Sequence, residues 1–222
     1  MPAGAAALPT APIRVGVIED QPLLNGMLAD LITHTDGLEF VGSAHTIAEA
    51  RAQFPGWSAD VLTMDIELPD GNGISLGVSL RRQHPHLGIV LLSAYDLMDM
   101  LLDMPDDVRG GWSYLSKNSA LTASTLESAI IASARGETVL DSRLVDLALP
   151  RAGSALESLT DRQYKVLQLL AQGLSNAGIS QRLGIADKSV QNHLTAIYAA
   201  LNIDPSGDTN ARVKATLALL EE

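Results

Sequence analysis

Residues 60–73, DVLTMDIELPDGNG, contain the pattern that decides the fold. The apolar run over residues 60–64 has the length of a buried strand, and it is followed by the carboxylate of Asp65 and a turn rich in Pro and Gly. Residues 73–83 then carry apolar side chains at helical spacing. A buried strand that leads into a helix is typical of a parallel sheet covered by crossover helices. The stretch therefore predicts one unit of an α/β fold.

The same alternation extends on both sides of this unit. Further strands are predicted at residues 13–18, 39–44, 88–92 and 111–116, and further helices at residues 22–35, 47–54, 97–104 and 122–135. Five strands that alternate with five helices predict a flavodoxin-like (βα)5 domain with the parallel sheet order 2-1-3-4-5. We place this domain at residues 13–135, after a flexible N-terminal arm at residues 1–12.

The C-terminal part has a different organisation. Residues 136–154 are predicted to form a linker, because they end in a stretch rich in Pro, Gly and Ser. Beyond it, residues 155–222 are predicted to form an all-α domain with helices at residues 161–172, 175–183, 187–201 and 208–220. The short turn between the second and third of these helices indicates a helix-turn-helix, whose second helix lies in the DNA major groove.

Composition excludes several classes of protein. The chain has 222 residues, of which 46% are hydrophobic and 18% charged, and this excludes a disordered chain. It contains no Cys, which excludes disulfide scaffolds, thiolate zinc sites and cysteine nucleophiles. No apolar run approaches the roughly 18 residues of a membrane-spanning helix, so we expect a cytoplasmic protein without a membrane partner.

The charge of the chain is unevenly distributed. The formal net charge is −11, and residues 1–153 contribute most of it, with 9 Lys or Arg against 19 Asp or Glu. Residues 154–222 carry 6 basic and 7 acidic side chains. The acidity therefore belongs mainly to the first domain, and a local DNA-binding surface on the second remains compatible with it.

Polar side chains follow four of the predicted strands: Glu19 and Asp20, Asp65, Ser93, and Lys117. The carboxyl ends of parallel strands share one edge of a sheet, so these side chains are expected to meet there. Three carboxylates repel one another unless a cation neutralises them, and an all-oxygen cluster suits Mg²⁺. With the charge screened, Asp65 can attack a phosphoryl group while Ser93 and Lys117 stabilise the negative charge. The pattern predicts an aspartyl phosphate site.

Residues 13–135 resemble a two-component receiver domain. The resemblance lies in Glu19-Asp20, residues 64–73, Leu92-Ser93-Ala94 and Tyr114-Leu115-Ser116-Lys117. It implies phosphorylation of Asp65 by the phosphohistidine of a sensor histidine kinase, and Mg²⁺ bound by Glu19, Asp20, Asp65 and the backbone carbonyl of Glu67. It also implies that Ser93 and Tyr114 rearrange together as a switch. The chain departs from the family at Asn118, where Pro is usual. The stretch of residues 101–110 is also longer and more acidic than the corresponding stretch of the family.

Residues 159–203 resemble the LuxR-type DNA-binding domain of NarL/FixJ-like response regulators. The resemblance lies in Leu159-Thr160, residues 169–176, Ile179, Leu183-Gly184-Ile185 and residues 188–193. It implies that the last helix supports dimerisation, and residues 208–215 look like an actinobacterial branch of the family.

Seven side chains are candidates for DNA contact. Gln191 and Asn192 can read adenine edges, since an amide both donates and accepts hydrogen bonds. The basic side chains of Lys188, Arg182 and Arg162 can reach phosphates. Thr195 and His193 complete the set. We expect His193 to pack against the neighbouring helix or to bond a phosphate rather than to read a base. The family commonly has Lys at position 191, Glu near position 178 and a Ser cap at position 186, where this chain has Gln, Gly and Ala.

Together these features predict a phosphorylation-dependent transcriptional regulator that binds double-stranded promoter DNA as a homodimer, at least when phosphorylated. Its only catalysis would be its own phosphorylation and dephosphorylation. Three alternatives stay open: a phosphorylation-independent regulator whose receiver serves dimerisation or ligand binding, a phosphatase with an Asp nucleophile, and a helix-turn-helix that contacts protein. The absence of a substrate-covering insertion disfavours the phosphatase.

Overall fold

The structure is a computed structural model, and it describes residues 11–93, 110–141, 145, 154–205 and 210–219. The helix predicted at residues 97–104 lies outside the described residues, as do residues 1–10 of the predicted arm.

The N-terminal domain is built on five parallel strands. These are β1 Ile13–Ile18, β2 Leu38–Ala44, β3 Val61–Asp65, β6 Gly88–Ser93 and β7 Trp112–Ser116, with a short hairpin of β4 Glu67–Leu68 and β5 Gly71–Asn72 after β3. The sheet order is β2-β1-β3-β6-β7, which is 2-1-3-4-5 when the five long strands are counted along the chain. The predicted fold class and strand order are confirmed.

Helices cover both faces of this sheet. They are α1 Pro22–Thr33, α2 Ile47–Trp57, α3 Gly73–Gln83, α4 Lys117–Ala120 and α5 Ala123–Ala134. Because successive side chains of a strand point to opposite faces, Val15 and Val17 lie in the core beneath α1 and α5, and Leu62 and Met64 lie in the core beneath α2 and α3. Every residue of β3 is buried, as expected for a central parallel strand.

Three local features differ from the sequence predictions. Helix α2 runs past the predicted end at residue 54 and includes Pro55, because Trp57 is buried against Gly16 and Gly42 of the sheet. The short helix α4 was not predicted; the side chain of Ser116 caps its start by accepting a hydrogen bond from the Ser119 amide. The β4–β5 hairpin, which was predicted only as a turn, is also present.

The C-terminal domain is helical. A 3₁₀ helix at Ala155–Ser158 precedes α6 Asp161–Ala171, α7 Asn176–Leu183, α8 Asp187–Ala200 and α9 Ala211–Ala218. Thr160 and Gln163 form a capping box at the start of α6, whereas Ala186 gives α8 no side-chain cap. The four predicted helices are present, and each begins and ends within three residues of its predicted bounds. Among the described residues, no helix has both the length and the apolar character needed to cross a membrane.

Asp70 links the β4–β5 hairpin to α2. Its carboxylate accepts hydrogen bonds from the amides of Ile47 at 2.8 Å and Ala48 at 2.9 Å, which are the first two residues of that helix. Such amides have no partner within the helix, so a carboxylate stabilises them. The Ile47 hydrogen bond, assisted by that of Ala48, lowers the pKa of Asp70 below its ordinary value of 3.8.

We predict that D70N lowers the melting temperature by a few degrees at neutral pH, because the charged partner of the α2 amides is lost. A group with a lowered pKa stabilises the fold above its unfolded pKa and loses that contribution as the pH falls through its folded pKa. The difference between wild type and D70N should therefore shrink in acid, below about pH 4. Thermal unfolding followed by circular dichroism measures both effects. The exposed Asp36 is the matched control, and an equal loss in D36N would contradict the capping role.

Candidate functional site

Three acidic side chains meet at the carboxyl edge of the sheet. Glu19 and Asp20 follow β1, and Asp65 ends β3, which is hydrogen-bonded to β1 with Ile18 opposite Met64. Each of the three offers one carboxylate oxygen, and these oxygens lie within 4.8 Å of one another. The strand order therefore brings together the carboxylates that the sequence analysis selected.

Lys117 neutralises part of this negative charge. Its Nζ donates to Asp65 Oδ2 at 2.8 Å and to Glu19 Oε1 at 2.9 Å, and its side chain is only 14% exposed. Burial by itself would lower the pKa of Lys117, but the hydrogen bonds to Asp65 and Glu19 outweigh burial and raise the pKa above its usual value. The ammonium group is therefore charged at neutral pH.

Glu19 is the most buried member of the cluster, with no exposed surface. Burial raises the pKa of Glu19, the hydrogen bond from Lys117 opposes that shift, and the charge of Asp65 adds to it. Its Oε2 atom is buried and has no hydrogen-bond partner among the described residues. A buried carboxylate oxygen without a partner is costly, and a hard cation would satisfy it. The donor set of Glu19, Asp20 and Asp65 therefore fits Mg²⁺.

Glu19 is held in position by two side chains that were not among the predicted site residues. The buried Asn25 donates from Nδ2 to the Glu19 carbonyl at 3.0 Å, and Nδ1 of His45 lies 3.0 Å from the same oxygen. Asn25 stands on the apolar face of α1 between Leu24 and Leu28. A single amide side chain on an apolar helix face is the sequence signal for such a contact, because a buried polar group needs a hydrogen-bond partner.

Asp65 is held by the segment that follows it. Its Oδ1 accepts a hydrogen bond from the amide of the exposed Glu67 at 3.1 Å, and the Gly73 amide donates to the Ile66 carbonyl at 2.8 Å. A Cβ on Gly73 would lie 2.0 Å from the Asp65 carbonyl oxygen. The start of α3 therefore approaches the backbone of Asp65 so closely that only glycine fits.

Ser93 and Tyr114 occupy different positions relative to this cluster. Ser93 ends β6, one residue beyond Leu92, which is opposite Asp65 in the sheet. It therefore lies at the edge that carries the acids. Tyr114 lies in the middle of β7 and is 4% exposed, so its ring belongs to the core in this structure.

Helix α8 presents a polar face to solvent. Lys188, Gln191, Asn192 and Thr195 are exposed on it, whereas Val190, Leu194 and Ile197 are buried beneath it. The exposed face matches that of a recognition helix, in which one side contacts DNA and the other packs on the domain.

The other candidate DNA contacts lie beside this helix. Arg182 is exposed in the last turn of α7, and His193 is half-buried. Arg162 is exposed but donates to the Leu183 carbonyl at 3.0 Å, so its guanidinium also satisfies the end of α7.

Two family models match the chain. Residues 15–131 match the response regulator receiver domain, and residues 157–208 match the bacterial regulatory proteins of the luxR family. Each match coincides with one of the two structural units described above.

The chain is also similar to characterised proteins over most of its length. It is 31% identical to the DNA-binding transcriptional activator DevR/DosR of Mycobacterium tuberculosis over 92% of this chain and 94% of that protein. It is 31% identical to the transcriptional regulatory protein LiaR of Bacillus subtilis over 91% of this chain and 96% of that protein. A crystal form of the Salmonella typhimurium RcsB response regulator has the same fold, with a TM-score of 0.54 at 22% identity over 94% of this chain and 97% of that one.

We predict that G73A weakens Mg²⁺ binding about tenfold, because the added methyl displaces the Asp65 backbone and spoils the carboxylate geometry. Isothermal titration of the full chain with MgCl₂ measures the effect. G26A is the matched control, since a Cβ at this exposed helical position meets nothing within 4 Å. Equal Mg²⁺ affinity in G73A and wild type would contradict the tight approach of α3 to Asp65.

Proposed function

The chain belongs to the NarL/FixJ family of response regulators, with a receiver domain followed by a LuxR-type DNA-binding domain, and we propose that Asp65 is its phosphoryl acceptor. The donor is the phosphohistidine of a sensor histidine kinase, and Mg²⁺ is required. Phosphorylation alters dimerisation of the chain and its binding to promoter DNA in the cytoplasm. The receiver catalyses only its own phosphorylation and dephosphorylation.

The observation that carries this proposal is the position of Lys117 between Asp65 and Glu19. A carboxylate that accepts a phosphoryl group must lie beside a cation that meets the growing negative charge. Lys117 Nζ is 2.8 Å from one Asp65 oxygen, while the Glu67 amide holds the other at 3.1 Å. Both oxygens of the acceptor are thereby fixed, and this supports attack in one orientation.

In the transfer, one Asp65 oxygen forms a bond to phosphorus as the phosphorus–nitrogen bond of the kinase histidine breaks and its electron pair returns to the imidazole. Lys117 stabilises the charge on the phosphoryl oxygens. Glu19, Asp20, Asp65 and the Glu67 carbonyl would hold Mg²⁺, which would supply the positive charge that screens these carboxylates from the incoming phosphoryl group. Asn25 and His45 keep the Glu19 backbone in place.

Ser93 and Tyr114 provide the switch in this proposal. Ser93 ends the strand next to β3, within the same edge of the sheet, and its hydroxyl moves to donate to a phosphoryl oxygen. The Tyr114 ring then moves with it and remodels the face around β6 and β7. The support is their placement on these two neighbouring strands.

The DNA-binding domain acts through the exposed face of α8. Gln191 and Asn192 read base edges, and Lys188, Arg182 and Arg162 contact phosphates, with Thr195 and His193 beside them. Residues 154–222 carry 6 basic and 7 acidic side chains, so a single domain attracts DNA weakly. A homodimer that contacts two half-sites supplies the missing affinity.

We predict that D65N abolishes phosphoryl uptake, because an amide lacks the nucleophilic carboxylate oxygen. The measurement is intact-protein mass after incubation with acetyl phosphate and MgCl₂. D36N, on the exposed surface, should be labelled like the wild type. Undiminished labelling of D65N would refute the assignment of the acceptor.

We further predict that DNA affinity depends on salt through few phosphate contacts. A dimer with about four to six contacts gives a slope of log affinity against log salt near −4 to −5. K188A removes one contact per protomer and should make the slope about two units shallower. K165A is the control, because Lys165 is exposed on α6 and bonds Gln168. Fluorescence anisotropy with a promoter fragment measures the slopes, and identical slopes for K188A and wild type would contradict the assigned face.

A further inference from the structure

Residues 138–141, which fall in the predicted linker, pair with the edge of the receiver sheet through an isolated parallel bridge. β7 is the edge strand, and its free side is covered where Tyr114 forms a parallel bridge with Leu140. The Tyr114 amide donates to the Val139 carbonyl at 2.7 Å, and the Asp141 amide donates to the Tyr114 carbonyl at 2.7 Å. The segment therefore pairs with the strand that leads directly into Lys117.

Asp141 continues this pairing with its side chain. Its Oδ2 accepts a hydrogen bond from the Ser116 amide at 2.9 Å, and the residue is 3% exposed. Ser116 immediately precedes Lys117, and its own hydroxyl caps α4. Because a hydrogen bond to a buried carboxylate is stronger than one between neutral groups, Asp141 fixes the backbone from which the Lys117 side chain starts.

The other side of the segment contacts the DNA-binding domain. In this parallel bridge both backbone groups of Tyr114 are bonded to the neighbours of Leu140, Val139 and Asp141, so the Leu140 amide faces away from β7. It donates to the Ala171 carbonyl at 2.8 Å, an oxygen in the last turn of α6 that has no partner within the helix. Beside this contact, a Cβ on Gly173 would lie 2.5 Å from a Val139 methyl group. Residues 138–141 therefore contact β7 on one side and the DNA-binding domain on the other.

We infer that Asp141 is a positioning residue for Lys117, and that contact of α6 with Val139 and Leu140 holds it in place. This inference rests on the proposed phosphorylation of Asp65. Its consequence is specific: the docked DNA-binding domain favours phosphoryl uptake, because it stabilises the strand that sets Lys117 against Asp65. In the docked arrangement Lys188, Gln191, Asn192 and Thr195 are exposed, so the receiver domain does not cover the DNA-binding face.

The first test concerns Asp141. D141A should lower the maximal rate of phosphoryl uptake from acetyl phosphate about tenfold, because Lys117 is misplaced. The MgCl₂ concentration that gives the half-maximal rate should not rise, because the three acids are untouched and Lys117 compensates less of their charge. D141N retains an oxygen that accepts from the Ser116 amide and should restore most of the rate. A wild-type rate in D141A, or a loss in D141N equal to that in D141A, would overturn the positioning role.

The second test concerns the contact with α6. G173A, in the DNA-binding domain, should reduce the uptake rate and speed hydrogen exchange of the Leu140 amide about tenfold, because the added methyl collides with Val139. G184A is the matched control: Gly173 and Gly184 both follow helices with positive φ, +81° and +64°, but a Cβ on Gly184 meets nothing within 4 Å. Equal uptake rates in G173A and G184A would overturn the role of docking.

The outcomes separate this inference from the proposed function. If the wild-type chain takes up no phosphoryl group, the proposed function fails. Hydrogen exchange of the Leu140 amide then tests the contact between the two domains without any phosphorylation. An unchanged exchange rate in both D141A and G173A overturns the inference. If the wild type is labelled at Asp65 and neither variant alters rate or exchange, the proposed function stands and the inference fails.

Discussion

The contact of Lys117 with Glu19 and Asp65 is the interaction on which the functional part of the receiver depends. It joins the ends of three strands, β1, β3 and β7, which are far apart in sequence. Two buried carboxylates this close repel each other, and the ammonium group compensates that repulsion. Breaking a buried pair by removing one partner typically costs about 3–5 kcal/mol, because the remaining charge stays buried without compensation. The same ion pair therefore stabilises the edge of the sheet and holds Asp65 in the position that the proposed phosphoryl transfer requires.

The sheet makes this contact possible through its topology. Parallel strands end at one edge, and the order β2-β1-β3-β6-β7 sets the two acid-bearing strands side by side. Lys117 follows β7, the outermost strand, so its side chain must reach across the end of β6. The hydrogen bond from Ser116 to Asp141 and the cap of α4 fix the backbone on either side of Lys117. The edge that carries the three acids is consequently supported by residues beyond the five-stranded core.

Much of the architecture follows from local pattern. The predicted bounds of β1 and α3 are those of the structure. Of the other long strands, β2, β6 and β7 differ by one residue at one end and β3 by one residue at both ends, because the turn residues that flank a buried run determine where the strand begins and ends. Helix α2 is different: Pro55 argues for an earlier end, and only the packing of Trp57 against Gly16 and Gly42 carries the helix further. Helix α4 is too short to show a period and depends on its Ser116 cap.

The sequence by itself determined the order of the two domains, the parallel sheet and the acidic, hydroxyl and lysine side chains at its edge, because period, turn chemistry and strand-end position are local properties. Only the tertiary structure decided that Asn25 holds the Glu19 carbonyl, that Asp70 caps α2 and that Asp141 meets Ser116. In each of these contacts a side chain satisfies a backbone group of another element. Which backbone groups are left without a partner, and what lies within 3 Å of them, is settled only when the elements pack together.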